Sequence, residues 1–302
     1  MKRGVYFLAD DGVFELVVAF LNSFRQYNPK LSLCLIPFNS NVERVKSLQE
    51  SYGFSIYTKT DVLVRCDEIS TRFHPRVIGQ YRKLAAWEGD FDEFIYIDVD
   101  TIVLAKLDFI FKFLAEYSFV TSHSNKPEIV KFVWKPTIYA SGVLSDEQIK
   151  YATNTGFIAS QKGALTLDIV SGKLDRAVEL APHMALFCIE QPFLNYLIVT
   201  SGREYTSLSA LALARSIVDM PHEYWAGNKL RGIKIENGQV LLNGESRRVL
   251  LLHWAGEWQP RLADKLFFWV IRSLRIRKQG SSAIRFFMPY KILWEYYRYL
   301  RE

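Results

Sequence analysis

Apolar and polar positions along the chain repeat with two different periods. Residues 4–9 (Gly-Val-Tyr-Phe-Leu-Ala) form a short apolar run that stops at Asp10-Asp11 and predicts a first strand. Phe14, Val17, Val18, Leu21 and Phe24 then recur at helix spacing, and Asn28-Pro29 ends the pattern. A second strand is expected over 31–38, a helix over 42–52 and a third strand over 54–57. Val77, Ile78, Tyr81, Leu84 and Ala85 predict a helix from 75 to 87. It delivers the chain to residues 91–104, FDEFIYIDVDTIVL, where an apolar run enters Asp98-Val99-Asp100 and a second one leaves it. That segment reads as a buried parallel strand with two carboxylates at its C-terminal end. Strands alternating with helices imply a doubly wound sheet.

Beyond Asp100 the periodicity loosens. Residues 107–117 read as helix, 119–122 as a short strand, and 123–150, with Pro127, Trp134 and Pro136, as an irregular functional loop. A strand is expected over 151–160, then helices over 164–180 and 190–199. Asn237-Gly238 and Asn243-Gly244 signal hairpin turns, and a strand over 248–254 carries His253 near its end. There is no internal repeat and no low-complexity linker.

The chemistry starts at the two carboxylates. Side chains at i and i+2 of a strand point the same way, and unpaired carboxylates at a buried strand end cost several kcal/mol, so a cation is wanted between them. Hard oxygen ligands suit Mg or Mn. Two families place an Asp-x-Asp after an apolar strand. Haloacid-dehalogenase-type phosphatases run into Asp-x-Asp-x-Thr, which Asp98-Val99-Asp100-Thr101 fits. GT-A glycosyltransferases use the motif to hold the metal of a nucleotide-sugar. The phosphatase motif sits on the first strand and is followed by a second acidic pair; here about three strands precede it, and Asp10-Asp11 comes earlier.

Five further segments match the other family in order. Over roughly residues 3–260 the sequence resembles retaining GT-A glycosyltransferases of the glycogenin and lipopolysaccharide galactosyltransferase type. Ala9-Asp10-Asp11 resembles the opening segment that meets uracil, and Tyr81-Arg82-Lys83-Leu84 a Tyr-x-Arg-Leu segment. Asn154-Thr155-Gly156-Phe157 is similar to an Asn-x-Gly strand, and Glu190-Gln191 to an Asp-Gln helix start. His253-Trp254-Ala255-Gly256 resembles a His-x-x-Gly metal and diphosphate segment. The resemblance implies Asp98, Asp100 and His253 as ligands of Mn2+ or Mg2+, the nitrogen favouring Mn. It implies Asp10, Asp11, Lys83, Asn154 and Gly256 on the donor, with Glu190 on a donor-sugar hydroxyl and Gln191 facing the anomeric carbon. The implied reaction moves a hexose from a nucleoside diphosphate sugar, a UDP-sugar by the family pattern, to a hydroxyl of a glycan or lipid-linked acceptor. Gly12-Val13 stand where the family has Asn-Tyr, Lys83 where it has Arg, and Arg261 substitutes for a later Lys. A catalytically silent nucleotide-sugar binder shares the same motifs, because fold alone does not confer activity.

Composition adds one thing. The 302-residue chain carries net charge +6, but residues 261–302 hold ten Lys+Arg against three Asp+Glu, leaving 1–260 near −1. That tail interleaves Phe267, Trp269, Phe286, Trp294 and Tyr297 with Arg272, Arg275, Arg277 and Lys291. The pattern predicts a catalytic domain over 1–260 and a helical tail over 261–302 that meets an anionic membrane surface rather than nucleic acid. No apolar run reaches bilayer-spanning length, and Asp10-Asp11 interrupts the start too early for a signal peptide. The three cysteines share no metal-ligand spacing, and Cys34 sits in an apolar run. The expected location is cytoplasmic, peripheral at the inner face of the cell membrane.

Overall fold

The computed structural model describes residues 1–225, 233–236, 239–242 and 248–255. Gly256 and the basic tail lie outside the described residues. Among the described residues there are twelve strands: β1 (Arg3–Ala9), β2 (Ser32–Pro37), β3 (Ser55–Ile56), β4 (Glu93–Ile97), β5 (Thr101–Val103) and β6 (Phe119–Thr121), then β7 (Phe157–Gln161), β8 (Tyr205–Ser207), β9 (His222–Trp225), β10 (Ile233–Glu236), β11 (Gln239–Leu242) and β12 (Val249–His253). Seven of them form one mixed sheet in the order β3-β2-β1-β4-β7-β6-β8. β3, β2, β1 and β4 are parallel, β7 runs antiparallel to both its neighbours, and β6 and β8 are parallel again.

Strand alternation divides the core. Val5, Phe7, Ala9, Ile95 and Ile97 face one side with the helix Phe14–Tyr27; Tyr6, Leu8, Phe94 and Tyr96 face the other with the helices Thr60–Phe73, Leu167–Leu180 and Gln191–Val199. β4 is buried at all five positions, which fits a central strand covered on both faces. A second sheet, β5-β12-β9, lies in the first of these cores and pairs β5 antiparallel and β9 parallel to β12. β10 and β11 pair antiparallel with Glu236 opposite Gln239; the turns expected at 237–238 and 243–244 lie outside the described residues.

Several expectations change in detail. The helix expected over 42–52 is two single turns, Glu43–Lys46 and Gln49–Tyr52. The one expected over 75–87 is 3-10 helix from Gly79 to Glu88, with Tyr81, Lys83, Leu84, Ala85 and Trp87 buried. The strand expected over 151–160 begins at Phe157. Residues 123–150 are not an open loop: the short helices Pro127–Val130, Pro136–Ser141 and Asp146–Tyr151 bury Ile129, Trp134, Ile138 and Ile149. A Ser145–Gln148 capping box starts the last of them.

Candidate functional site

β4 ends at Ile97, and the chain bends through Asp98-Val99-Asp100 before β5. The carboxylates therefore converge through a bend and not through strand alternation, while Val99 stays in the core. β5 then sets Thr101 opposite His253 on β12, which brings the imidazole beside Asp100. One ligand atom from each of Asp98, Asp100 and His253 lies within 4.8 Å of the others. Oδ1 of Asp100 is 3.2 Å from His253 Nε2, yet it is buried with no hydrogen bond satisfying it. Two such atoms face to face require a proton or a cation. Burial disfavours a charged His253, but the Asp100 and Glu223 carboxylates outweigh it and push its pKa well above the usual histidine value. Two carboxylate oxygens and one imidazole nitrogen fit a divalent cation, which would compete with that proton.

Glu223, on β9, was invisible to sequence reasoning. It is fully buried and accepts from His253 Nδ1, from the Trp225 indole N–H at 3.0 Å and from the Ser122 hydroxyl. Burial alone would raise its pKa; the charge and hydrogen bond of His253 overturn that and hold it at about 2. A carboxylate on Nδ1 leaves Nε2 aimed at Asp100, the arrangement that orients metal-bound histidines. The only cue in the sequence was an acid inside the short aromatic run His222-Glu223-Tyr224-Trp225.

Lys83 is no solvated helix lysine. Its side chain is 4% exposed, with Nζ 2.5 Å from Glu190 and 3.1 Å from the Asp98 carboxylate. Burial opposes its charge, and the two carboxylates more than compensate, so its pKa is raised. Burial also raises Glu190, against the pull of Lys83. The Tyr96 hydroxyl donates to Asp98 at 2.7 Å. The neighbouring Arg82 cannot supply the missing guanidinium. It is forked onto Asp67 at 2.8 and 2.6 Å on the helix Thr60–Phe73.

Glu190 and Gln191 open the helix Gln191–Val199, whose Pro192 has no N–H to leave unpaired in the first turn. Gln191 Nε2 donates to the Phe132 carbonyl at 3.1 Å. Asn195, one turn on, bonds both the N–H and the C=O of Thr153, at 2.8 and 2.9 Å, and so fixes the segment carrying Asn154. Asn154 Oδ1 accepts from Gly156 N at 2.7 Å, which leaves its Nδ2 as the group it offers to a ligand. A Cβ at Gly156 would stand 2.4 Å from His253 Cε1 and 2.8 Å from Asp98 Oδ2, so only glycine passes under the cluster.

A cavity of about 830 Å³ joins these groups. Asp10, Lys83, Asp98, Asp100, Asn154, Gly156, Glu190, Gln191 and His253 all line it. Asp10 is held there by Asn39 Nδ2 at 2.6 Å and by Gly12 N at 2.9 Å. Asp11 is not among the lining residues. Its carboxylate accepts from Arg44 and Val45 N–H at 3.1 and 3.0 Å and caps the turn Glu43–Lys46, so the structure gives it a local role.

No family model and no curated protein sequence matches the chain. Among solved structures, an active-site mutant of LgtC superposes with a TM-score of 0.52 at 12% identity, covering 84% of this chain and 87% of that one. The galactosyltransferase LgtC in complex with donor and acceptor sugar analogs gives 0.46 at 14% identity, over 68% of this chain and 72% of that one. The glycosyltransferase GlyE of Streptococcus pneumoniae TIGR4 gives 0.45 at 14% identity, over 99% of this chain and 65% of that one. At such identities the likeness is one of fold, and it rests on the first of the three.

Proposed function

From the GT-A fold that the chain shares with LgtC, we propose that it is a metal-dependent, retaining glycosyltransferase moving a hexose from a UDP-sugar to a hydroxyl acceptor. One observation carries this reading. Asp98, Asp100 and His253 converge within 4.8 Å on the wall of a cavity that also holds Lys83, Glu190 and Gln191. Asp98, Asp100 and the Nε2 of His253 would hold Mn2+ or Mg2+, the imidazole favouring Mn2+. The bound ion would neutralise charge developing on the departing diphosphate.

The chain's own groups supply the rest. Asp10, which directly follows β1 and lines the cavity with Val13 and Leu16, would meet the nucleobase. Gly256, outside the described residues, would let backbone approach the diphosphate. Lys83 fixes the carboxylate of Glu190 for a donor-sugar hydroxyl, and Asn154 Nδ2 offers a second polar contact. Gln191 faces the anomeric carbon; an amide is a poor nucleophile, so the same-face course through an ion pair is as open to it as a covalent intermediate. The tail over 261–302 would hold the enzyme at an anionic membrane surface, near lipid-linked acceptors of surface-glycan assembly such as lipopolysaccharide. Among the described residues no helix is long and apolar enough to cross a membrane.

The test is release of UDP from a panel of UDP-hexoses, with Mn2+ and with chelator. Metal-dependent release from at least one donor is expected. Release that ignores the chelator, or turnover of simple phosphate esters instead, would contradict the reading.

A further inference from the structure

Among the described residues, two side-chain polar atoms on the cavity wall are buried with no hydrogen bond: Asp100 Oδ1 and Gln80 Oε1. A cation explains the first. Nothing in the metal site explains the second, and an unmet buried acceptor is costly enough to call for a donor. Gln80 lies in the 3-10 helix Gly79–Glu88, where side chains three residues apart share a face. It therefore stands on the face of Lys83, and both line the cavity. Three residues of such a helix rise roughly 6 Å, which separates the two along its axis.

Both ends of that interval are fixed. Lys83 Nζ lies 3.1 Å from the Asp98 carboxylate, which places one end at the metal site. At the other end Gly79 is pressed against Phe38: a Cβ there would stand 2.3 Å from the Phe38 carbonyl oxygen and 2.6 Å from its ring. The Phe38 N–H donates to the Ala9 carbonyl at 2.9 Å, and Ala9, Asp10 and Phe38 all line the cavity. Gln80 thus lies between the corner assigned to the nucleobase and the groups assigned to the diphosphate. In a nucleoside diphosphate that place is taken by the ribose.

We infer that Gln80 binds the ribose of the donor, its amide turning into the cavity so that Oε1 accepts from the 2′- or 3′-hydroxyl. The inference rests on the glycosyltransferase reading above and deepens it, because it makes the pentose a point of selection. A carboxamide offers one acceptor oxygen and an NH2 donor, so it can hold both hydroxyls of a vicinal diol at once. A deoxyribonucleotide donor leaves part of that amide unpaired and binds less well. The neighbours at this end do not make the distinction. Val13, Leu16 and Phe38 are apolar, and the Asp10 carboxylate already accepts from Asn39 and Gly12.

The experiment uses the full chain with Mn2+. Calorimetric titration compares UDP with 2′-deoxy-UDP and 3′-deoxy-UDP, on the unmutated chain and on Q80L, which keeps the bulk of the side chain and removes both polar atoms. The unmutated chain should bind UDP roughly tenfold more tightly than at least one deoxy analogue, about the worth of one such hydrogen bond. Q80L should bind UDP roughly tenfold more weakly and bind that analogue as the unmutated chain does. The inference is overturned if the unmutated chain binds all three nucleotides alike, a comparison that stands even where Q80L does not fold. It is equally overturned if folded Q80L keeps its affinity for UDP, or loses affinity for all three by one factor. Failure of the unmutated chain to bind UDP at all would overturn the glycosyltransferase reading itself, and this inference with it.

Discussion

Glu223 offers the sharpest test of how the proposed metal site is built, because it bonds His253 without being one of the three proposed ligands itself. Its Oε1 accepts from His253 and from the Trp225 indole, and its Oε2 from Ser122. Glu223→Gln keeps the shape: the amide oxygen can still accept from the first two, and the NH2 can donate to the Ser122 hydroxyl. It removes the charge alone. Glu223→Ala removes charge and geometry together and takes the acceptor from three donors, two of them on buried residues. Losing an outer partner of a metal-bound histidine costs about 10–100-fold in metal affinity, or roughly 1.4–2.7 kcal/mol. Glu223→Gln should fall at the lower end and Glu223→Ala at the upper. Breaking a buried charged pair also costs about 3–5 kcal/mol of stability, a large share of the 5–15 kcal/mol a domain has, so the glutamine variant carries the test. Calorimetric titration of Mn2+ in the presence of UDP reads the affinity, and circular dichroism confirms the fold. Folded variants that both bind Mn2+ as the unmutated chain does would refute the reasoning.

Three further outcomes are expected. Lys83→Met leaves Glu190 and Asp98 uncompensated and should cost about 3–5 kcal/mol in chemical denaturation, part of it regained in the double variant with Glu190→Gln; additive losses would argue against the coupled triad. Cys34 and Cys66 are buried, while Cys188 lines the cavity with its thiol pushed by burial up to about 11. Thiolate fraction rises about tenfold per pH unit below that value. Alkylation of the folded protein should therefore fall on Cys188, accelerate with pH and be slowed by UDP with Mn2+, as peptide mass mapping would show. For the tail, the full chain should pellet with anionic vesicles at low salt and a chain ending at Pro260 should not; equal pelleting would remove the tail from the account.

Much of this architecture is legible in the sequence where hydrophobic pattern alone decides. β1, the helix Phe14–Tyr27, the all-buried β4 and the helix Leu167–Leu180 follow from it, as does β12 with His253 at its end. The helix Thr60–Phe73 does not. Its buried stripe of Val62, Leu63, Cys66 and Ile69 is narrow and set among Asp61, Arg65, Asp67, Glu68 and Arg72, so it passes for loop. Asp10 and Asp11 are adjacent and chemically alike, and only three-dimensional placement separates the one in the cavity from the one capping a turn. Arg82 and Lys83 pose the same problem, because a 3-10 segment aims successive residues at different elements. Glu223 was hidden because a four-residue strand gives too short a pattern to read, and its partners lie on β12 and at Ser122.

The central claim is that Asp98, Asp100 and His253 make one metal site through which the donor diphosphate is held. Isothermal titration of UDP into the protein, with Mn2+ and with chelator, tests it most directly, run beside Asp100→Asn. The account expects binding with Mn2+ and its loss, to at least a hundredfold weaker (about 2.7 kcal/mol), both with chelator and in Asp100→Asn. UDP binding of equal strength in all conditions, in a variant that keeps its fold, would contradict it.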